Sequence, residues 1–190
     1  MQVTIREPGS AITHFIAWLL AVIAASPLII KAAGNSPTAT IAMIIFMASM
    51  ILLYGASTAY HSVAVSDKVL KIFRKIDHMM IFVLIAGSYT IIALCALRPK
   101  YPAIGWGLFS FEWALTDLAV TLTAIDLKKY NVFSMICYIG MGWAILPFLD
   151  KTLEVLTLPG FLLLLFGGIA YTIGAILYGI GSRKKWFHCV

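Results

Sequence analysis

Long stretches without a charged residue are the feature that most constrains how this chain can fold. Charged residues make up 12% of its 190 residues and hydrophobic residues make up 62%. A soluble domain carries about a quarter charged residues and roughly half apolar ones. No soluble core could bury so much apolar surface, whereas about 20 consecutive apolar residues suffice to cross the hydrocarbon of a bilayer as a helix. The sequence therefore predicts an all-α protein that crosses a membrane several times.

Six apolar stretches are long enough to form transmembrane helices. Gly34-Asn35-Ser36-Pro37 favours a turn between the first two, and Arg98-Pro99-Lys100 ends the third because proline disfavours helical geometry in the residue before it. The predicted helices are residues 9–30, 38–61, 77–97, 102–125, 130–149 and 158–181. Residues 186–190 are predicted to be the start of a seventh helix. We therefore expect a single membrane-embedded domain over residues 1–190 that is truncated at its C-terminus.

Two polar segments separate some of these helices. Residues 66–76 mix apolar and basic side chains, so this segment is predicted to lie in the cytoplasmic headgroup layer as an amphipathic turn or two. Asp150, Lys151 and Glu154 are predicted to lie in a linker between the fifth and sixth helices. Nothing between the helices resembles a soluble domain.

Basic residues are distributed unequally between the two ends of the predicted helices. Ten of the 14 Lys and Arg residues fall on one side and four on the other. Because basic loops favour the cytoplasmic side of a membrane, the richer side and the N-terminus are predicted to be cytoplasmic. Short basic clusters between apolar spans do not form a groove for phosphates, so nucleic acid is not an expected partner. The ten are Arg6, Lys68, Lys71, Arg74, Lys75, Lys128, Lys129, Arg183, Lys184 and Lys185, and the four are Lys31, Arg98, Lys100 and Lys151.

Several polar residues fall near the predicted cytoplasmic ends of different helices. Ser57 and His61 are four residues apart, so they share one face of the second helix. Neutral imidazoles and a carboxylate, with one position open to water, describe a catalytic zinc site. A carboxylate that does not bind the metal directly can hold the bound water. The other polar residues at this level are His14, Asp77, His78 and His188.

Each of these residues also has an ordinary structural explanation. A histidine at a helix end often lies among lipid headgroups, in contact with water. A lone serine such as Ser57 often bonds the backbone of its own helix, and Asp77 could be a favourable negative charge at a helix N-terminus. The spacing alone leaves both explanations open.

The predicted fourth helix contains two acidic residues, Glu112 and Asp117. Five residues apart on a helix, they point about 140° away from each other, so they are not expected to act as a paired acid and base on one substrate. We expect them to face a wet cavity or a neighbouring helix, and of the two we expect Asp117 to approach the cytoplasmic site.

Three sequence motifs occur together in this chain: EPGSAITH at residues 7–14, STAYHS at 57–62, and KIDH at 75–78 leading into AGSYT at 86–90. Together they resemble the bacterial hemolysin III family, which is related to the progestin and adipoQ receptors and, more distantly, to alkaline ceramidases. The resemblance in hydropathy covers essentially the whole chain. It implies a seven-helix bundle in the bacterial inner membrane with a cytoplasmic N-terminus, of which this chain supplies six helices and the start of the seventh.

The resemblance also implies a zinc site. The family's Ser-x-x-x-His corresponds to Ser57 and His61, and its aspartate corresponds to Asp77. In the related receptors this histidine binds zinc and the aspartate holds a metal-bound water. The other two ligands come from a His-x-x-x-His pair, of which His188 is the first and the second would lie two residues beyond Val190. We therefore expect His61 and His188 as zinc ligands, with Asp77 acting through water. Asp77 and Ser57 are the expected catalytic residues.

Three functions agree with this pattern. A zinc-dependent hydrolase of lipid amide or ester bonds is favoured, because zinc lowers the pKa of its water to about 7 and Asp77 would position that water. The alternatives are a pore-forming cytolysin, the activity that gave the family its name, and a lipid or membrane-state sensor in which zinc is structural. A pore should have polar residues along one helix face through the full depth, and apart from Glu112 and Asp117 the mid-membrane stretches are apolar. Membrane lipids are the expected partners, with a lipid or fatty acid as substrate.

Reporter fusions test the predicted topology, because each fusion reports the side of the membrane on which it lies. Cytoplasmic signals are expected after Lys75, Lys129 and Lys185. External signals are expected after Asn35, Lys100 and Lys151. A reversed pattern would overturn the helix count or the orientation.

Overall fold

The computed structural model describes residues 5–183, and these residues are helical with no strand. The helices are α1 (Pro8–Ala33), α2 (Pro37–Ser62), α3 (Asp67–Ile91, continued by the π-helical segment Ile92–Leu97), α4 (Pro102–Ile125), α5 in two parts (Asn131–Gly142 and Leu149–Val155) and α6 (Leu158–Arg183). Within the described residues, α1 to α5 are long and apolar enough to cross a membrane. The predicted all-α transmembrane fold is confirmed. The predicted start of a seventh helix lies outside the described residues.

Proline residues fix where three of the helices begin. Pro8, Pro37 and Pro102 each occupy the first turn of a helix, where the missing N–H needs no partner and the backbone angle φ is already helical. At the start of α2, Ser36 Oγ also accepts a hydrogen bond of 3.1 Å from the backbone N–H of Ala39. The predicted bounds of α1, α2 and α4 agree with the structure to within one helical turn.

Helix α3 begins at Asp67, so its predicted start at Asp77 is wrong. Residues 66–76, which were predicted to form a separate amphipathic segment, are the first turns of this helix. Neither proline nor glycine interrupts them, and Asp67 supplies a favourable negative charge in the first turn. Basic side chains can reach the membrane surface from within a helix, so a cluster of charges does not mark its end. Asp77 and His78 consequently lie inside α3.

Helix α5 is broken between Gly142 and Leu149, whereas an unbroken helix was predicted over residues 130–149. Pro147 lies in the break, within a short 3₁₀ turn, and cannot donate a backbone hydrogen bond. The chain then resumes as Leu149–Val155, so the acidic and basic residues assigned to a linker belong to this helical part.

A tyrosine of α3 satisfies part of the broken backbone of α5. The hydroxyl group of Tyr89 donates a hydrogen bond of 2.9 Å to the carbonyl of Gly142 and accepts one of 3.3 Å from the N–H of Ile145. A backbone group without a partner is costly in lipid, because no water is present to replace the lost bond. Tyr89 therefore stabilises the break and links α5 to α3.

Helix α3 lies at the centre of the described bundle. It packs against α2, α4 and α5, and among the five candidate spans it buries the largest share of its residues. Phe82 and Ala86 are fully buried on it. Polar residues on α3 are therefore held in fixed positions by helices on several sides.

The outer surface of the bundle is apolar. Ile30 is 72% exposed, Val132 is 69% exposed and Leu163 is 75% exposed. A soluble protein rarely presents so much contiguous apolar surface, whereas lipid chains solvate it well. Together with the five spans, this surface identifies a multi-pass membrane protein.

Charged contacts hold the two ends of the bundle. At one end, Lys100 Nζ donates a hydrogen bond of 2.7 Å to Glu154 Oε2, which raises the pKa of Lys100, and Arg98 donates one of 3.2 Å to Thr38 Oγ1. At the other end, Lys75 Nζ donates a hydrogen bond of 2.6 Å to a backbone carbonyl near the end of α4. The basic residues thus lie at both ends of the spans, as alternating helices require.

The start of α4 approaches the π-helical end of α3 closely at Gly105. A Cβ atom added to Gly105 would lie 2.6 Å from the carbonyl oxygen of Ala93 and 2.7 Å from Cα of Arg98. Both atoms belong to backbone, which cannot move aside cheaply. A Cβ added at Gly107, two residues further on, would meet nothing within 4 Å.

These two glycines form a matched test of the fold. Gly105→Ala should lower the free energy of unfolding by about 1–3 kcal/mol, because the added methyl group overpacks the contact between α3 and α4. Gly107→Ala should be neutral or stabilising by up to about 1 kcal/mol, because alanine favours helix. Thermal unfolding of the purified variants in detergent measures both effects. Equal losses in the two variants would contradict the described packing.

Candidate functional site

A histidine–carboxylate pair joins the N-terminal segment to the end of α2. Nδ1 of His61 lies 2.5 Å from Oε2 of Glu7, and the backbone N–H of Glu7 donates a hydrogen bond of 3.0 Å to the carbonyl of His61. Glu7 immediately precedes α1 and His61 lies in the last turn of α2, so the packing of these two helices brings the residues together. The His61 side chain is 15% exposed and that of Glu7 is 36% exposed, so solvent reaches the pair only in part.

The contact with Glu7 determines which nitrogen of His61 is available for chemistry. With Glu7 ionised, its carboxylate can only accept hydrogen bonds, so Nδ1 of His61 would be the donor. In a neutral imidazole the lone pair then lies on Nε2, the nitrogen able to bind a metal or accept a proton. Metal-binding histidines usually have this arrangement, with the other ring nitrogen held by a carboxylate or a carbonyl group.

Aromatic and basic neighbours restrict the His61 ring. The ring of His14 stacks on it with centroids 5.4 Å apart and an angle of 8° between the planes, and Tyr60 contacts it edge-on at 4.8 Å. The guanidinium group of Arg6 lies 4.2 Å from the centre of the Tyr60 ring and 3.0 Å from Oε1 of Glu7. These contacts hold both the imidazole and the carboxylate in one orientation.

Asp77 and His78 lie beside this group on α3. Oδ2 of Asp77 is 3.7 Å from Nδ1 of His78, and the two side chains are 13% and 15% exposed. His14 and His78 are each close enough to both His61 and Asp77 for their charges to interact. The hydroxyl group of Tyr138 donates a hydrogen bond of 2.8 Å to the carbonyl of His78, which ties α5 to this point. One end of the bundle thus gathers a histidine cluster, which consists of His14, His61, His78 and Asp77.

The structure removes one ordinary explanation for Asp77. Helix α3 begins at Asp67, so Asp77 lies in the helix interior and cannot be a charge that stabilises the helix N-terminus. A carboxylate that is mostly shielded and located within a helix needs polar partners, because burying a charge is costly. The nearby histidines supply polar surroundings of that kind.

Ser57 lies one turn before His61 and is 4% exposed. Its neighbour Thr58 donates a hydrogen bond of 2.7 Å to the carbonyl of Tyr54 in its own helix. Within residues 5–183, Ser57 Oγ makes no such bond to the helix backbone. The ordinary explanation for a helix serine therefore does not account for Ser57.

The described residues contain part of the predicted zinc ligand set. Within residues 5–183, no three His, Cys, Asp or Glu side chains come together as a metal site. His61 is present with its second nitrogen held by a carboxylate, and Asp77 is nearby. The other predicted ligand, His188, lies outside the described residues.

Sequence reasoning missed the roles of Glu7 and His14. Glu7 begins the motif at residues 7–14 and His14 ends it at the predicted membrane level, but the sequence predicts no role for either residue. The available signal was their spacing: seven residues on a helix are about two turns, so a carboxylate preceding α1 lies on the same side as His14. Their contacts with His61 depend on how α1 packs against α2, which the sequence does not state.

The two acidic residues of α4 lie on opposite faces, as the predicted angle requires. Glu112 is fully buried and packs within the bundle, while Asp117 is exposed. The expectation that Asp117 approaches the cytoplasmic site has no contact to support it among the described residues.

Comparison with known proteins gives matches over almost the full length. Residues 2–189 match the family described as Haemolysin-III related. The chain is 38% identical over 201 residues to Hemolysin-3 from Bacillus cereus, covering 97% of this chain and 90% of that protein. It is 37% identical over 189 residues to the Hemolysin-3 homolog from Bacillus subtilis (strain 168), covering 98% and 86%. No solved structure gives a significant match.

A double-mutant cycle tests whether Glu7 and His61 interact. Glu7→Gln and His61→Ala should each reduce stability, and the double variant should lose less than the sum by about 0.5–1.5 kcal/mol, because both changes remove one hydrogen bond at a partly exposed site. Thermal unfolding in detergent measures the four proteins. A second cycle with Glu7→Gln and Asp117→Asn, whose carboxylate is exposed on α4, is the control and should be additive. Additivity in the first cycle would contradict the contact.

Proposed function

This chain belongs to the haemolysin-III related family, and on that premise we propose that it is a zinc-dependent hydrolase of amide or ester bonds in membrane lipids. The observation that carries the proposal is the 2.5 Å contact between Nδ1 of His61 and Oε2 of Glu7. A carboxylate holding one imidazole nitrogen orients the other toward a metal and increases its basicity. Histidine and carboxylate are also the ligand types of catalytic zinc sites.

The chemistry of the described residues fits a zinc ion at this position. His61 would hold the ion through Nε2, with Glu7 fixing the tautomer, and His188 would be a further ligand. When bound, zinc would supply a water molecule with a pKa near 7 and would polarise a carbonyl oxygen.

The protein's own side chains have distinct roles in this proposal. Asp77 would accept a hydrogen bond from the water and take its proton as the water attacks the lipid carbonyl carbon, which is general base catalysis. Ser57, whose hydroxyl lies one turn from His61, would donate a hydrogen bond to the oxygen of that carbonyl as negative charge develops there. The proton would then pass to the leaving amine or alcohol.

An apolar cavity offers a place for the lipid chain. A cavity of about 480 Å³ lies between α3, α5 and α6 and is lined mainly by apolar and aromatic residues, among them Ile85, Tyr89, Trp143 and Tyr171. Ile85 is seven residues beyond His78 on α3, which corresponds to about 10 Å along the helix. An acyl chain could therefore extend from the histidine cluster into this cavity. In the proposed orientation the cluster faces the cytoplasm, so the hydrolysed headgroup would be on that side.

Zinc binding tests the metal part of this proposal without relying on activity. Glu7→Gln should weaken zinc affinity by about 10–100-fold, as is typical when a residue orienting a ligand is lost, and His61→Ala should weaken it more. Zinc titration of the purified protein measures these affinities. Asp117→Asn is the matched control, because its carboxylate is exposed on α4 and should leave the affinity unchanged. Unchanged affinity in His61→Ala would refute the metal site.

Fatty acid release from lipids of defined headgroup tests the hydrolase part. The Asp77→Asn variant should bind zinc nearly as well as the unchanged protein, because Asp77 contacts the water and not the metal. It should release at least about 100-fold less fatty acid, because asparagine cannot take the proton of that water. Zinc binding without fatty acid release from amide-linked or ester-linked lipids would favour a structural zinc in a sensor. Leakage of vesicle contents that is insensitive to Asp77→Asn would favour a pore.

A further inference from the structure

A carboxylic acid side chain lies buried in the middle of the bundle, away from the histidine cluster. Glu112 is fully buried on the face of α4 that packs against α3. It lies ten residues after Pro102, so it is about 15 Å along a helix that crosses roughly 30 Å of hydrocarbon. Glu112 is therefore near the mid-plane of the membrane, where an ionisable residue is rare and usually functional.

Neither carboxyl oxygen of Glu112 has a hydrogen-bond partner within residues 5–183. The donors on the neighbouring turns are already used. The hydroxyl groups of Tyr89, Thr90 and Thr116 each donate to a backbone carbonyl, and the indole N–H of Trp113 donates to Thr90. No side-chain donor on these turns is left to stabilise a negative charge on Glu112.

The basic residues that contact α4 lie at its two ends. Arg98 stacks near Trp106, six residues before Glu112 and so about 9 Å away along the helix. Lys75 binds the carbonyl of Ala124, twelve residues after Glu112 and about 18 Å away. Neither cation is placed to pair with the carboxyl group.

The other titratable groups near Glu112 do not carry positive charge either. Tyr89 on α3 is close enough to interact with it electrostatically. The π-helical segment and α5, which also pack against α4, contribute the cysteines Cys95 and Cys137. An ionised Glu112 would thus be a buried charge without a partner among the described residues, a state that carboxyl groups avoid by binding a proton.

We propose that Glu112 is a proton-binding site in the core of the bundle, occupied at neutral pH, and that the packing of α4 on α3 requires the bound proton. Loss of the proton would leave a charge that only water or a cation could stabilise, and admitting either would separate the two helices. Because Tyr89 on the same interface also bonds across the break in α5, this separation would reach α5 as well. The proposal is independent of zinc and of hydrolysis.

The sign of the pH dependence follows from the bound proton. At neutral pH the folded protein keeps a proton on Glu112, whereas an exposed glutamate in the unfolded chain is ionised. The folded state therefore binds more protons, and stability should fall as the pH rises. Glutamine resembles the neutral acid in shape but binds no proton, so Glu112→Gln should remove the part of this loss of stability that Glu112 causes.

Infrared spectroscopy of the purified protein at neutral pH tests the proposal directly. The unchanged protein and Asp117→Asn should both show the carbonyl stretching band of a protonated carboxylic acid, and Glu112→Gln should lack it. Asp117 is the matched control, because it is a carboxyl group on the same helix but on an exposed face. A band that persists in Glu112→Gln would overturn the proposal, as would its absence from the unchanged protein. The spectrum of the unchanged protein alone tests the proposal, even if the Glu112→Gln variant fails to fold.

A thermal unfolding series over pH supplies the second measurement. The midpoint of the unchanged protein and of Asp117→Asn should fall more steeply from neutral to alkaline pH than that of Glu112→Gln. Identical pH dependence in the three proteins would show that no proton on Glu112 is coupled to the packing of α3 and α4, and would overturn the proposal.

Discussion

The need to pair every backbone polar group inside a lipid bilayer governs this structure. Helices meet that need within themselves, which is why an apolar chain of this kind folds as helices with no strand in the described residues. Where α5 breaks around Pro147, the requirement must be met by another helix, and Tyr89 of α3 does so. The central position of α3 follows in part from this role, because the helix that satisfies a break must lie against it. Other polar groups of the bundle are then positioned relative to α3.

The candidate site arises where helix ends meet, which is the cheapest place in a membrane protein to gather polar side chains. Glu7 precedes α1 and His61 ends α2, so their pairing needs no break in either helix. Asp77 and His78 reach the same level from inside α3, because that helix extends beyond the apolar region. The site therefore combines two pairs of residues. The packing of α1 on α2 brings Glu7 and His61 together, and the length of α3 brings Asp77 and His78 to the same level. This explains how groups far apart in sequence share one location without any irregular backbone.

The sequence predicted the parts of the fold that depend on local chemistry. Proline in the first turn and the Gly34-Asn35 turn were enough to place α1, α2 and α4. The predicted start of α3 is wrong because a cluster of basic residues does not end a helix, and α3 continues through them. The Glu7–His61 contact was missed for a different reason: it joins residues that are 54 apart in the sequence. Pro147 is visible in the sequence, but the broken backbone of α5 is satisfied by Tyr89, which lies 53 residues before Gly142. The sequence places the histidines at one level of the membrane, but it does not show which of them contact each other.

The two buried or partly buried glutamates show two different ways of managing a charge. Glu7 has Arg6 and His61 in contact with its two oxygens at the end of the bundle, where solvent also reaches it. Glu112 has neither cation nor donor among the described residues, so a bound proton is the remaining means of stabilising it. The same residue type is thus suited to orienting an imidazole at one depth and to binding a proton at another.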